Sequence, residues 1–206
     1  GAGKLTKNKL ESNLNLFFDY QEIIEKSLMK AVELIRSFKS VAVEQHTDPE
    51  ISINLSKHVV DVVNTVKTLF KRKNYTLNFN VDDDLNLVTF PSAWNQIITN
   101  FLMNSHIHGF EDRIDGEINI SFTLEKNELV MIYQDDGKGI DSSLRKRIFD
   151  PFVTTKRGQG GSGLGLNIVY NLVSSKLGGT IECLDANPGI IFKVVVPIAE
   201  QAIDIP

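Results

Sequence analysis

Two asparagines one helical turn apart, Asn100 and Asn104, lie in an apolar run, with His108 a further turn on. Amide oxygens can join the shell of a hydrated divalent cation, and amide N–H groups can reach phosphate oxygens. Asp135 is followed by Asp136-Gly137-Lys138-Gly139-Ile140. A carboxylate there can accept a hydrogen bond from an exocyclic amine, and Gly137 and Gly139 let a flat ligand lie against bare backbone. Further on, Phe149-Asp150-Pro151-Phe152-Val153-Thr154-Thr155-Lys156-Arg157 leads into five glycines within eight residues, ending at Gly161-Ser162-Gly163-Leu164-Gly165 before an apolar helix. Such a loop is entropically costly to order, whereas phosphates can gather its N–H groups and the helix N-terminus. Lys156 and Arg157 can bring charge to the same polyphosphate. No Gly-Lys-Ser/Thr follows the glycines, so this is not a Walker loop. Each motif has an ordinary reading when taken singly: amides bonded to nearby backbone, an Asp-Gly turn, a surface loop with solvated charges. In this order they fit ATP with a divalent cation.

The elements that must hold these groups can be read from periodicity. Leu10, Leu14, Phe17, Gln21, Ile24, Leu28, Ala31, Ile35, Phe38 and Ala42 alternate steps of four and three, a heptad seam that predicts one long helix, or two with a bend, ending near Thr47-Asp48-Pro49. Its apolar stripe needs a partner, either its own domain or a bundle with a second copy in which Gln21 helps fix register. Strands are expected over 51–55, 75–81 and 85–90, with a helix over 58–71 between the first two. A helix from Pro91 to about His108 buries Trp94, Ile97, Ile98, Phe101 and Leu102 and carries the asparagines beside that face. A hairpin over 116–124 and 128–134 turns at Lys126-Asn127, a helix covers about 163–176, and strands over 179–184 and 190–197 turn at Asn187-Pro188-Gly189. The fold class is α+β: a two-layer α/β sandwich, with a mixed sheet carrying helices on one face, preceded by the long N-terminal helix. The expected division is residues 1–48 for the helical segment and 49–206 for the nucleotide domain.

With 206 residues, 42% of them hydrophobic, the chain can bury one good core and a helical appendage. A net charge of −4 argues against nucleic-acid binding. The lone Cys183 cannot form an internal disulfide and reads as a core residue of a reducing compartment. No apolar run reaches the ~20 residues needed to cross a bilayer, so the expected location is cytoplasmic, with room for a membrane-anchored parent. The opening Gly1-Ala2-Gly3 lacks a methionine, as a fragment of a longer chain would.

The order of an asparagine-bearing helix, Asp-Asp-Gly-Lys-Gly, Phe-Asp-Pro-Phe with Thr-Thr-Lys, and Gly-Ser-Gly-Leu-Gly-Leu closely resembles the catalytic ATP-binding domain of bacterial sensor histidine kinases, in the GHKL (Bergerat-type) ATPase superfamily. The match covers about residues 50 to 198. Residues 31–39 resemble the second helix of that family's dimerisation and phosphotransfer hairpin. The resemblance implies that Asn104 ligands Mg²⁺ and Asn100 lies close to the phosphates. Asp135 would accept from adenine, with Gly137 and Gly139 shaping the nucleotide floor. Phe149 and Phe152 would anchor a mobile lid, while Gly161, Gly163, Leu164 and Gly165 form the phosphate-side glycine box. Thr155, Lys156 and Arg157 are lid residues, the last two placed near the β- and γ-phosphates. Where many members carry lysine, this chain has Ile107, which leaves His108 as the candidate phosphate contact. The family's final Gly-Thr-x-Phe appears as Gly189-Ile190-Ile191-Phe192, without the threonine hydroxyl that would support a water-mediated adenine contact.

The implied cofactors are ATP and Mg²⁺. The implied partners are ATP/ADP, an acceptor-histidine helix and a response-regulator receiver domain, with a homodimer in the full-length protein. None of the four histidines has the acidic residue and proline that usually follow the family's phosphoacceptor. His46 and His58 read as surface residues, and His106 and His108 belong to the asparagine helix. The γ-phosphoryl group would pass to a histidine on a helix outside this chain. Two alternatives stand beside this reading: a non-catalytic nucleotide-binding regulatory module, and another GHKL protein kinase or ATPase. No acidic residue falls between Pro91 and Gly109, which disfavours a hydrolase of the latter kind.

Overall fold

The computed structural model describes residues 49–70, 73–156 and 161–199, with helical positions 13, 14, 16–18, 20, 21, 23–25, 27 and 28. The expected course of the N-terminal helix beyond those positions, its end near Pro49, His46 and the 31–39 match lie outside the described residues. At the described positions Phe17, Phe18, Ile24 and Leu28 are exposed.

Strand β1 (Ile51–Asn54) pairs antiparallel with β3 (Asn86–Thr89) in a two-stranded sheet. A five-stranded mixed sheet has the order β2-β4-β5-β7-β6, built from β2 (Asn74–Asn80), β4 (Asp115–Glu125), β5 (Glu128–Asp135), β6 (Thr180–Leu184) and β7 (Ile190–Pro197). Only β2 and β4 run parallel. Along the central strands period-two alternation sends Ile118, Ile120, Phe122, Leu129, Met131, Tyr133, Phe192 and Val194 into the core. Glu117, Asn119, Ser121, Gln134 and Lys193 point the other way.

Helices over 55–67, 91–104 and 165–171 pack on the core side, and a short fourth over 142–145 buries no residue. Helix α1 (Leu55–Lys67) starts earlier than the 58–71 expected, and Leu55, assigned to the strand from its sequence, is its fully buried first residue. Asn54 sets this boundary: its side chain accepts from Lys57 N at 2.9 Å, capping the helix, and donates to Asp83 O at 2.7 Å. His58 is half-buried rather than a free surface residue, its Nε2 lying 3.2 Å from Pro91 O.

Helix α2 (Pro91–Asn104) starts with proline at its first turn. It buries Trp94, Ile97, Ile98, Phe101 and Leu102. Trp94 Nε1 donates to Thr89 Oγ1 at 3.0 Å, and Phe101 stacks on Phe192 with ring centroids 4.6 Å apart. The helix does not run on as α to His108. It widens into a π turn at Ser105–Gly109, closed by Phe110 N donating to Ser105 O at 2.8 Å. A short α3 (Ser142–Arg145), not foreseen, is capped by Asp141, whose side chain accepts from Ser143 N at 2.8 Å. Helix α4 (Gly165–Asn171) also ends in a π turn, Leu172–Lys176.

Phe101→Ala should remove the stacked contact at the centre of this core and lower stability by about 3–5 kcal/mol. Urea unfolding would show it as a lower midpoint at an unchanged slope.

Candidate functional site

Asp135 sits where the β5 alternation Leu129, Met131, Tyr133 would place another apolar side chain, and it is only 2% exposed. Its Oδ1 accepts from Gly137 N at 3.0 Å and its Oδ2 accepts from the Ser105 hydroxyl. Burial pushes the carboxyl pKa above its ordinary value, opposed by the Ser105 hydroxyl and by the Gly137 and Ile190 N–H groups. A β-carbon on Gly137 would come within 2.7 Å of the Gly109 backbone. Glycine is therefore what lets the Asp135 turn close against the end of the π turn.

A cavity of about 820 Å³ opens beside this carboxylate. It brings together Asn100, Asn104 and His108 from α2 and its π turn, Asp135 and Gly139, Thr155, and Gly161, Gly163, Leu164 and Gly165. Three predicted residues are not among its lining. Gly137 packs behind the wall against Gly109. Lys156 turns to Glu111 instead, with Nζ 2.7 Å from Oε1. Arg157 lies outside the described residues.

The two asparagines differ. Asn100 Nδ2 donates to Gln96 O at 2.8 Å, the ordinary backbone contact, while Asn104 Nδ2 is buried without a hydrogen-bond partner among the described residues. An unsatisfied buried amide costs on the order of 1–3 kcal/mol. Both amide oxygens turn toward the start of α4: a β-carbon on Gly165 would lie 3.0 Å from Asn100 Oδ1 and 3.8 Å from Asn104 Oδ1. These neutral oxygens suit a hydrated Mg²⁺ that takes its other ligands from water and phosphate. Among the described residues no group of three His, Cys, Asp or Glu side chains could hold a metal unaided.

The segment over the cavity is tied down by backbone and by charge. Phe152 N donates to Gly163 O at 2.9 Å, and both residues have positive φ, 66° and 71°. A β-carbon on Gly163 would lie 2.6 Å from the Phe152 carbonyl carbon, so only glycine fits. Phe149 is half-buried, 6.2 Å from Phe192 between ring centroids, whereas the Phe152 side chain is 52% exposed. The Phe152 backbone is anchored through Gly163. His108 Nδ1 lies 3.1 Å from Thr155 Oγ1, and burial followed by the nearby Lys156 and Lys138 charges lowers its pKa.

Glu111 accepts from Lys138 Nζ at 2.8 Å as well as from Lys156, and the two lysines hold its carboxyl down to about 2. One carboxylate thus joins the Asp-Gly-Lys-Gly loop to the lid. Sequence reasoning missed Glu111 because nothing in its spacing marks it. It passed over Ser105 and Tyr133, which are ordinary residues of a helix and a strand until the fold brings them to Asp135. Lys138, Ile107 and Ile190 also line the cavity. Cys183 is half-buried at the core's margin, and burial raises its thiol to about 11.

With a raised carboxyl pKa, ionised Asp135 lowers stability as pH climbs from the unfolded-state value through the folded one. Without ligand, Asp135→Asn should therefore melt higher than wild type near pH 7 and lose that advantage below about pH 4, read by thermal melts across pH. Glu111→Gln should free Lys156 and speed tryptic cleavage after it, followed by mass spectrometry at neutral pH.

The family described as histidine kinase-, DNA gyrase B-, and HSP90-like ATPase matches residues 91–200. Sporulation kinase E of Bacillus subtilis (strain 168) is 25% identical over 210 residues, 98% of this chain and 26% of that protein. The sensory histidine kinase/phosphatase NtrB of Rhizobium leguminosarum bv. phaseoli is 34% identical over 121 residues, 52% of this chain and 30% of that protein. The chain thus spans less than a third of the length of these curated relatives. Among solved structures, the nucleotide-free catalytic domain of histidine kinase ThkA superposes with a TM-score of 0.63 at 25% identity, covering 72% of this chain and 95% of that one. Full-length ShkA in complex with AMPPNP shares the fold, with a TM-score of 0.71 at 20% identity over 97% of this chain and 41% of that one. With the match running from α2 through the cavity residues to β7, this chain belongs to the histidine kinase-, DNA gyrase B-, and HSP90-like ATPase family.

Proposed function

We propose that this chain is the ATP-binding catalytic part of a sensor histidine kinase, with residues 49–206 as the nucleotide domain and residues 1–48 belonging to the dimerisation and phosphotransfer hairpin. The observation that carries the reading is one cavity lined by both a buried carboxylate, Asp135, and Asn104, whose buried Nδ2 has no hydrogen-bond partner among the described residues. Asp135 accepts from the adenine amino group. Asn100 and His108 lie by the phosphates, and the N–H groups around Gly161, Gly163, Leu164 and Gly165 face the same chain of charge. Asn104 holds Mg²⁺, which when bound offsets phosphate charge. Gly139 borders the base, Thr155 orients His108, and Lys156 and Arg157 reach the phosphates once Lys156 leaves Glu111.

The acceptor is a histidine on a helix of the longer parent. Its imidazole nitrogen forms the bond to the γ-phosphorus as the bond to the β-phosphate oxygen breaks. ADP leaves, and the imidazole proton passes to a base beside that histidine. The domain's work is positioning and charge stabilisation. A response-regulator receiver then takes the phosphoryl group, and the full-length parent is a homodimer. A nucleotide-binding regulatory module is the second reading. It is favoured by Ile107 in the cavity wall and by a lid lysine already paired to Glu111.

Titration with ADP and Mg²⁺ should show binding that Asp135→Asn weakens at least about tenfold, while Asn104→Ala removes most of the Mg²⁺ dependence. Equal affinity in wild type and Asp135→Asn would remove the site assignment. Mixing the chain with a separate acceptor-helix fragment and γ-labelled ATP should move label onto histidine. Nucleotide binding without transfer would select the regulatory module.

A further inference from the structure

The hydroxyls of Tyr133 and Ser105 lie 2.7 Å apart, and the Ser105 hydroxyl also meets Asp135 Oδ2. Tyr133 is fully buried, its ring 5.0 Å from that of Phe101 between centroids. Ser105, 2% exposed, lines the cavity. A hydroxyl has one proton to give. With Ser105 donating to Asp135, the Tyr133 proton goes to Ser105 Oγ, and every member of the chain is satisfied. The reverse polarity needs a protonated Asp135 donating to Ser105 and Ser105 donating to Tyr133. The Tyr133 proton would then sit in the core without an acceptor among the described residues, an arrangement that buried hydroxyls avoid.

We propose that the Tyr133–Ser105 pair is a specificity-determining relay. It fixes Asp135 as a hydrogen-bond acceptor toward the cavity, so that the site takes purines with a 6-amino group and rejects those with a 6-oxo group. The proposal rests on the nucleotide reading above and adds the residues that set which base is read. Ser105 and Tyr133 are positioning residues, acting through Asp135. Burial alone favours a neutral Asp135, and a neutral carboxyl could donate to a 6-oxo group. Three donors, the Ser105 hydroxyl and the Gly137 and Ile190 N–H groups, work against that. Burial also pushes the Tyr133 phenol well above its ordinary pKa, so it keeps the proton the relay needs. Ile190 lines the cavity without a hydroxyl.

The experiment is calorimetric titration of the chain with ADP and with IDP, its 6-oxo analogue, each with Mg²⁺, in wild type, Ser105→Ala, Ser105→Thr and Tyr133→Phe. Wild type should prefer ADP. Ser105→Ala should lower the ADP-to-IDP affinity ratio about tenfold, and Ser105→Thr, which keeps the hydroxyl, should restore it. Tyr133→Phe frees the Ser105 hydroxyl to turn to a carbonyl one helical turn back, and should lower the ratio in the same direction. If Tyr133→Phe does not fold, the Ser105→Ala and Ser105→Thr pair decides. A ratio unchanged in Ser105→Ala, with both nucleotides weakened in step, would overturn the relay and leave the nucleotide site standing. A wild-type chain that binds neither ADP nor IDP would overturn the nucleotide reading and the relay with it.

Discussion

A carboxylate occupies the last core-facing position of a central strand, and much of the site is arranged around keeping it there. Asp135 lies in line with Leu129, Met131 and Tyr133, so its charge is buried by the same alternation that builds the core. Such a group is tolerated only where hydrogen bonds reach it. Here they come from the π turn after α2 and from the glycine turn that follows the strand. The close approach of Gly137 to Gly109 follows from this requirement. The cavity opens beside this carboxylate.

The two sides of the site are held by different physics. Around Asp135 the contacts are buried and rigid, with small residues and hydroxyls in fixed geometry. Over the lid the ties include ion pairs of one partly exposed glutamate with two lysines, and a histidine to threonine contact. Exposed ion pairs are worth little and weaken with salt. Of these ties the Lys138 pair is the more exposed, while the Lys156 side chain is largely covered.

The sheet and helices were legible because their signals are local. Alternation marked β2 and the β4–β5 hairpin, and the 3.6-residue stripe of Trp94, Ile97, Ile98 and Phe101 marked α2. The residues that meet in the cavity were legible because glycine runs and paired asparagines are poor choices for an unliganded fold. Capping hid the start of α1, since Asn54 ends a strand and opens a helix in one step and draws Leu55 into the core. The π turn was invisible because its closing bond, from Phe110 N to Ser105 O, leaves no mark in residue preference. The pairing of Lys156 with Glu111, forty-five positions earlier, was not legible because no local signal links the two residues. Ser105 and Tyr133 went unnoticed for the same reason, their meaning arising from a meeting across 28 residues.

The π turn at Ser105–Gly109 makes this segment unusually sensitive to length. A wide turn holds one residue more than the regular ladder, so shortening it by a single residue would restore ordinary i→i+4 bonding with little backbone penalty. The residues beyond would swing by about 100° about the helix axis, carrying His108 and Glu111 away from the lid. Drift in this stretch can therefore proceed by exchange of side chains but not by gain or loss of a position.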